Sequence, residues 1–414
     1  MPDEINKKAA NIKGLIGILV TVGLVIFSEH AFDAALQGLK TWWEIVFPAL
    51  LPFFIITEIL MGLGVVRFIG ALLEPLMQPL FKVPGVGAFA VAMGIASGYP
   101  IGAKITGELR RQKLCTQAEG ERLVSFANTA DPLFMIGAVA VGMFARPELG
   151  ITIALAHYIS CLLVGFTLRF YQPKNNNKDK KENPCRNKGI LAHAFSELYK
   201  ARRKDNRPLG QLMGDSIKEA VDTLLLIGGY IIFFSVLTKI IEVLGVTQLI
   251  TSAFGVLLTP FNFDQSLSFP LISGFFEITN GSNLATQTGA PLGQKLILTS
   301  AIIAWSGLSV HAQVAAMIKG TDIRLKPYFF ARILHAILAG LITFFLFDPL
   351  HDISSELAVL TAGTSIFAPG YLYHLSHMAL GAALILGFLV CLSTIFYIIQ
   401  QITVVFFHAY NPSK

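Results

Sequence analysis

The stretch Gly94-Ile95-Ala96-Ser97-Gly98-Tyr99-Pro100-Ile101-Gly102-Ala103-Lys104 interrupts a hydrophobic first half. Apolar residues run up to it from Val83, and Gly98, Pro100 and Gly102 then disfavour a helix. In a helix interior Gly costs about 1 kcal/mol and Pro about 3 kcal/mol. The arms Val83–Ala96 and Ile101–Lys113 are each too short to cross a bilayer, which takes about 20 residues. Together they predict a re-entrant hairpin with Ser97-Gly98-Tyr99-Pro100 at its tip. Irregular backbone at membrane depth is tolerated only where it is buried in protein or lines a cavity. The tip is therefore the first candidate for a functional site.

The surroundings support that frame. The 414 residues are 54% hydrophobic and 14% charged, against about 25% charged in soluble domains. Repeated apolar runs of spanning length mark an integral membrane protein. The net charge of +6 is then a topology signal, since no basic face interleaved with aromatics points to nucleic acid. Cys115, Cys161, Cys185 and Cys391 form no metal or disulfide pattern. Lys7, Lys8 and Lys13 precede Gly14–Phe27 in the manner of a signal peptide, but no small-x-small site follows in Ser28-Glu29-His30-Ala31-Phe32. An uncleaved first transmembrane helix, Ile12–Phe27 within residues 1–30, is expected.

Residues 31–171 open with an amphipathic stretch, Ala31–Val46, whose Trp42 and Trp43 suit the membrane interface. Pro48 and Pro52 begin an apolar run to Val66 that carries Glu58, and the Pro-punctuated Ala71–Lys82 reads as interfacial. After the hairpin, Glu119–Phe144 contains Asn128-Thr129-Ala130-Asp131-Pro132. Pro132 removes a backbone donor and biases Asp131 away from helix, so a discontinuous spanning helix is expected. Glu148–Tyr171 spans. Residues 172–210 form a soluble basic linker, partly helical over Leu191–Lys204, with 11 Lys/Arg against 4 Asp/Glu between 172 and 209. Such a segment is a cytoplasmic loop or a contact for anionic lipid.

Residues 211–347 replay the order. Val221–Gly245 spans, and Ser266–Phe276 is a short arm broken at Glu277-Ile278-Thr279-Asn280-Gly281-Ser282-Asn283. Lys295–Ile318 is interrupted by Ser306-Gly307-Leu308-Ser309, and Tyr328–Phe347 spans. Residues 348–377 are expected as an external loop without Lys or Arg, and 378–414 as a C-terminal transmembrane segment, Met378–Phe407. A shift of 180 positions sets Gly94 on Gly274, Ser97 on Glu277 and Pro100 on Asn280. A shift of 178 sets Asn128 on Ser306 and Asp131 on Ser309. Equivalent loops differ in charge character: Lys104, Arg110, Arg111, Lys113 and Arg122 have no counterparts in 281–294. Conversely Lys319, Arg324, Lys326 and Arg332 answer only Arg146 in 141–154. The expected fold class is thus an all-α polytopic membrane protein of two inverted structural repeats, each with a re-entrant helical hairpin and a discontinuous transmembrane helix. Both termini, 101–122, 172–210 and 319–327 fall on the cytoplasmic side.

Hairpin tips and helix breaks expose orphan N–H groups and positive dipole ends, which suit an anionic or hydrogen-bonding solute. The candidate substrate-binding residues are Ser97, Gly98, Tyr99, Lys104, Asn128, Thr129 and Asp131 in the first half. In the second they are Glu277, Thr279, Asn280, Asn283, Ser306 and Ser309. Plainer roles stand beside these. The hydroxyls of Ser97, Thr129, Ser306 and Ser309 could re-satisfy freed backbone groups, and Asn128 and Asn280 could bond between helices. Lys104 could snorkel to the interface, and Asp131 could cap a half-helix. Glu277 carries the sharpest case, because an intramembrane carboxylate is costly and functional by default. It would bind solute, bind a coupling cation or carry a proton. His311 reads as packed or as a proton relay, and Glu58 as a cap. There is no GxxxxGK[ST] loop, Ser/His/Asp arrangement or HExxH, so no enzyme is expected. No metal site or cofactor is expected either. A coupling ion, sodium or proton, is left open, as is a homo-oligomer.

Several stretches resemble a known family. They are Trp42-Trp43-Glu44, Phe47-Pro48-Ala49-Leu50-Leu51-Pro52-Phe53-Phe54 and Leu73-Glu74-Pro75-Leu76-Met77, the Gly94–Lys104 tip, Glu121-Arg122-Leu123-Val124-Ser125-Phe126, and Gly274-Phe275-Phe276-Glu277 with Thr279 and Gly281. The resemblance is to the sporulation integral membrane proteins with a nucleoside-recognition Gate domain, shared with concentrative nucleoside transporters and ferrous-iron transport protein B. It covers residues 14–350 or so. It implies an endospore-forming Gram-positive source, the outer forespore membrane facing the mother cell, and dipicolinic acid as cargo. It also implies that both tips and both breaks hold solute, with Glu277 and Asn280 as the hairpin carboxylate and amide, although the Ser97 side lacks a carboxylate. The alternatives are a transporter of a nucleoside-like polar solute and a structural or assembly protein of the forespore envelope.

Overall fold

The computed structural model describes residues 2–172, 189–246 and 259–362, and every regular element among them is helical. The remainder of the linker, residues 363–377 of the expected loop and the expected C-terminal helix lie outside the described residues. Among the described residues, five helices are long and apolar enough to cross a membrane: Ser28–Gly62, Leu149–Leu168, Leu209–Val243, Leu292–Met317 and Leu325–Phe347.

Ser28–Gly62 is one rod where a stretch at the interface followed by a new helix was expected. A π-helical turn over Thr41–Val46 absorbs Pro48: the Phe47 N–H reaches back to Trp42 O, and the helix continues through Pro52. The same turn rotates Trp42 inward, where its Nε1 donates to Leu224 O at 2.9 Å, while Trp43 stays exposed. Only one of the two tryptophans is therefore free for the bilayer interface. The segment expected as interfacial, Ala71–Lys82, belongs to a helix beginning at Val65. It buries Leu72, Leu73, Leu76 and Met77.

The two hairpins form as the breakers dictate. Gly87–Ser97 and Ile101–Arg111 flank the first tip; Ser268–Phe276 and Ile278–Gln287 flank the second. The discontinuous helices are Gln117–Ala127 with Phe134–Met143, and Leu292–Trp305 with Gly307–Met317. Leu325–Ala362 packs against Leu292–Trp305 and Leu149–Leu168, and Leu209–Val243 packs against the Ser28–Gly62 rod. Leu325–Ala362 also runs as helix through residues 348–362, where a loop was expected.

Close approach explains two glycines. A Cβ on Gly94 would run into the Ala127 carbonyl, and one on Gly281 would run into the Gly274 backbone. In both hairpins an arm thus touches main chain that no rotamer change can move. Gly94→Ala is expected to lower the stability of the detergent-solubilised protein by about 1–3 kcal/mol, the usual cost of overpacking. Gly137→Ala is the control. Its added methyl would find only ordinary contact with Ala49, and helix propensity favours it by about 0.5–1 kcal/mol. Thermal unfolding of both variants checks this; equal midpoints would mean the hairpin packs more loosely than described.

Candidate functional site

Each break is built by local chemistry. At the first, Asn128 is extended (φ −85°, ψ 91°). Asp131 then starts the next half-helix: its Oδ1 accepts from the Leu133 N–H at 3.0 Å and the Phe134 N–H at 2.8 Å. At the second hairpin tip, Glu277 is extended (φ −147°, ψ 127°), and its Oε2 accepts from the Asn280 N–H at 2.7 Å. Both buried carboxylates are helix N-caps, placed where backbone donors and the positive dipole end favour negative charge. Ser306, left-handed at φ 71°, and Gly307 at φ 67° make the second helix break.

These breaks converge. One open cavity is lined by Tyr99 from the first tip, Ala130 and Asp131 from the first break, and Glu277, Ile278 and Thr279 from the second tip. Ser309 and Gln313 line it from beyond the second break; Leu50, Phe54, Ile227 and Tyr230 close it from the Ser28–Gly62 rod and its partner helix. Of the sequence candidates, Tyr99, Asp131, Glu277, Thr279 and Ser309 thus meet at one place.

Most of the others bond or pack within the scaffold. Asn128 Nδ2 donates to Tyr328 OH at 3.0 Å, and Ser306 Oγ lies 3.4 Å from the same hydroxyl. Thr129 Oγ1 sits 2.8 Å from His157 Nε2. Asn280 Nδ2 donates to Ile231 O at 3.1 Å, and Asn283 Nδ2 to Thr41 Oγ1 at 3.4 Å. Ser97 Oγ faces Met61 Sδ at 4.0 Å. Gly98, at φ 68°, lies where a Cβ would strike the Asp131 carboxylate. Lys104 is exposed. His311 Nδ1 donates to Gly307 O at 2.7 Å and its ring packs on Trp305.

The sequence reading missed a ridge on Leu325–Ala362. Tyr328, Arg332 and His335, at i, i+4 and i+7, share one helix face. Tyr328 touches both breaks, as above. Arg332 is fully buried: Nη2 donates to Ser125 O at 2.5 Å, and Nη1 to Tyr99 OH at 3.2 Å and Ala304 O at 3.4 Å. Ser125 and Ala304 lie in the last turns of the first halves of the two broken helices, so one guanidinium serves both negative dipole ends. His335 Nε2 donates to His157 O at 3.0 Å. His157 Nε2 accepts from the Ala130 N–H at 3.2 Å, so its own proton is on Nδ1. In sequence Arg332 reads as one of the cytoplasmic loop charges. Its place inside the apolar run from Tyr328 to Phe347 was the available signal, since an ionisable residue there is functional by default.

A second network joins the halves away from the cavity. Arg110 grips Asp322 through bonds of 2.7 and 2.9 Å, and Arg324 grips the buried Glu121 at 2.7 and 3.1 Å. The Arg110 guanidinium holds the Asp322 carboxyl below the usual carboxylate range.

Apolar spanning helices around a polar cavity where two interrupted hairpins meet two interrupted helices define an integral membrane protein of transporter-like architecture. The Gate model, described as nucleoside recognition, matches residues 43–168 and 224–323, and the chain belongs to that family. It is 46% identical over 336 residues to the sporulation integral membrane protein YlbJ of Bacillus subtilis (strain 168), covering 81% of this chain and 82% of that protein. Among solved structures it is similar to a CNTnw variant in an intermediate state. That match has TM-score 0.43 and 12% identity, over 82% of this chain and 86% of the other. A second CNTnw variant in an outward-facing state gives TM-score 0.38 and 14% identity over the same shares.

Proposed function

We propose that this chain is a membrane transporter of a small organic anion, dipicolinic acid, across the outer forespore membrane during sporulation. The observation that carries the reading is the cavity itself. Aromatic side chains (Phe54, Tyr99, Tyr230) line it together with hydrogen-bonding groups (Thr279, Ser309, Gln313), which suits a planar heteroaromatic ring with polar substituents. The sporulation relative supports the setting. The two halves cross the membrane in opposite senses, with residues 101–122, 172–210 and 319–327 and both termini on the mother-cell side.

Charge decides the mode. Among the described residues Asp131 and Glu277 line the cavity and no Lys or Arg does. A dianion beside two carboxylates needs compensation, so uptake is coupled to a cation, sodium or proton, entering with it. Proteoliposomes test this: dipicolinate uptake is expected to rise at least tenfold under an inward gradient of one of these ions. The same two carboxylates favour a second reading, a neutral nucleoside-like solute. Uridine uptake with no dipicolinate uptake under either gradient would overturn the first reading for the second.

A further inference from the structure

The basic linker contains a helix, Ile190–Asp205, that the transport reading leaves without a task. One of its faces is anchored to the protein. Ile190 and Ala194 are buried against Ala71 and Leu72, and His193 Nε2 lies 3.0 Å from Glu74 Oε2. A second face is apolar and largely exposed: Leu191, Phe195 and Tyr199 are 58%, 60% and 66% exposed, with the Phe195 ring 5.0 Å from that of Phe68. At about 100° per residue these three fall within a sector of about 80°. Next to that sector lies a polar face carrying Ala192, Ser196, Lys200, Arg203 and, further round, Lys204, with Ala192, Lys200, Arg203 and Lys204 exposed. The order around the helix is therefore protein, apolar stripe, cationic face.

What covers the stripe follows from its neighbours. Only Asn206, Arg207 and Pro208 separate the helix from the spanning helix Leu209–Val243, whose first turns expose Leu209 and Met213. The apolar run of that helix begins at Val221, about 18 Å further along, so the bilayer boundary lies within one helix length of Ile190–Asp205. A stripe of large apolar residues beside Lys and Arg matches the boundary between acyl chains and anionic headgroups. We infer that Ile190–Asp205 is a membrane-surface anchor: Leu191, Phe195 and Tyr199 enter the acyl boundary, and Lys200, Arg203 and Lys204 bind anionic phospholipid headgroups.

Spin labels on the full chain in nanodiscs test this, after Cys115, Cys161, Cys185 and Cys391 are replaced by serine. Labels at Leu191→Cys, Phe195→Cys and Tyr199→Cys are expected to collide several-fold more with oxygen than with a water-soluble nickel chelate. Labels at Ala192→Cys and Ser196→Cys are expected to show the reverse. Raising phosphatidylglycerol from none to a third of the lipid should draw the Tyr199→Cys label deeper. Adding Lys200→Gln, Arg203→Gln and Lys204→Gln should abolish that response. Equal nickel access at all five sites would show a solvated face. Shielding of the stripe from both reagents would show a protein partner. A label depth indifferent to phosphatidylglycerol with the basic residues intact would rule out headgroup recognition. Each result overturns the anchor without touching the transport reading, which the uptake assay decides separately.

Discussion

Arg332→Met is expected to destabilise the protein by about 2–4 kcal/mol, although it removes a buried charge. Two effects oppose each other. Deleting the guanidinium relieves its desolvation, and replacing buried ionic groups by apolar ones of similar volume is often neutral or stabilising. That compensation holds when both partners of an ion pair are removed together. Here the partners are the main-chain carbonyls of Ser125 and Ala304, which remain. They lie in final helical turns, where no intrahelical N–H reaches them. Each orphaned buried acceptor costs about 1–3 kcal/mol, and two half-helix dipoles lose their common counter-charge. Orphaning wins. Arg332→Lys keeps the charge, but a point ammonium on a flexible stem replaces a planar fork that spans two helix ends and Tyr99. It is expected to recover about half of the loss. Unfolding in mixed detergent–SDS micelles measures both. A methionine variant as stable as the parent would mean that these helix ends find other donors.

Much of this architecture was legible because breakers are local. Gly98 and Pro100, Pro132, Glu277 and Ser306 mark interruptions by their own chemistry, while the rest of the polar runs expected as breaks, 278–283 and 307–309, is helical. What was not legible is long-range. Trp42 turns inward because Leu224, 182 positions away, offers a carbonyl. Arg332 looked like one more loop cation because its acceptors come from two other helices. The site divided along the same line. Residues that cap their own half-helix, Asp131 and Glu277, also face the cavity. The amides Asn128, Asn280 and Asn283 sit one step away and bind neighbouring helices instead. Residue type told that a break needs polar groups; only packing tells which of them turn toward the space between the halves. Gln313 and Tyr230 line that space from regular helices, where no break announces them.

Glu277→Gln is expected to leave the fold standing and to remove most of the transport. An amide oxygen can accept the Asn280 N–H as the carboxylate does, so the N-cap of Ile278–Gln287 survives. What goes is the negative charge at the second tip. A hydrogen bond to a charged group is worth about 1.5–3 kcal/mol, and each 1.4 kcal/mol or so is a factor of ten. The half-saturation concentration for solute, or for its coupling cation, should therefore rise roughly tenfold to 150-fold. Glu277→Ala separates the two roles of the side chain. It removes the charge and the cap together and adds a stability loss of about 1 kcal/mol that the glutamine variant avoids. Uptake and thermal unfolding measured on the same preparations give the contrast. Loss of transport in both variants, with loss of stability in the alanine variant alone, makes Glu277 a binding residue that also caps. Normal uptake in the glutamine variant would make it a cap and nothing more, and the chemistry of the cavity would then rest on Asp131.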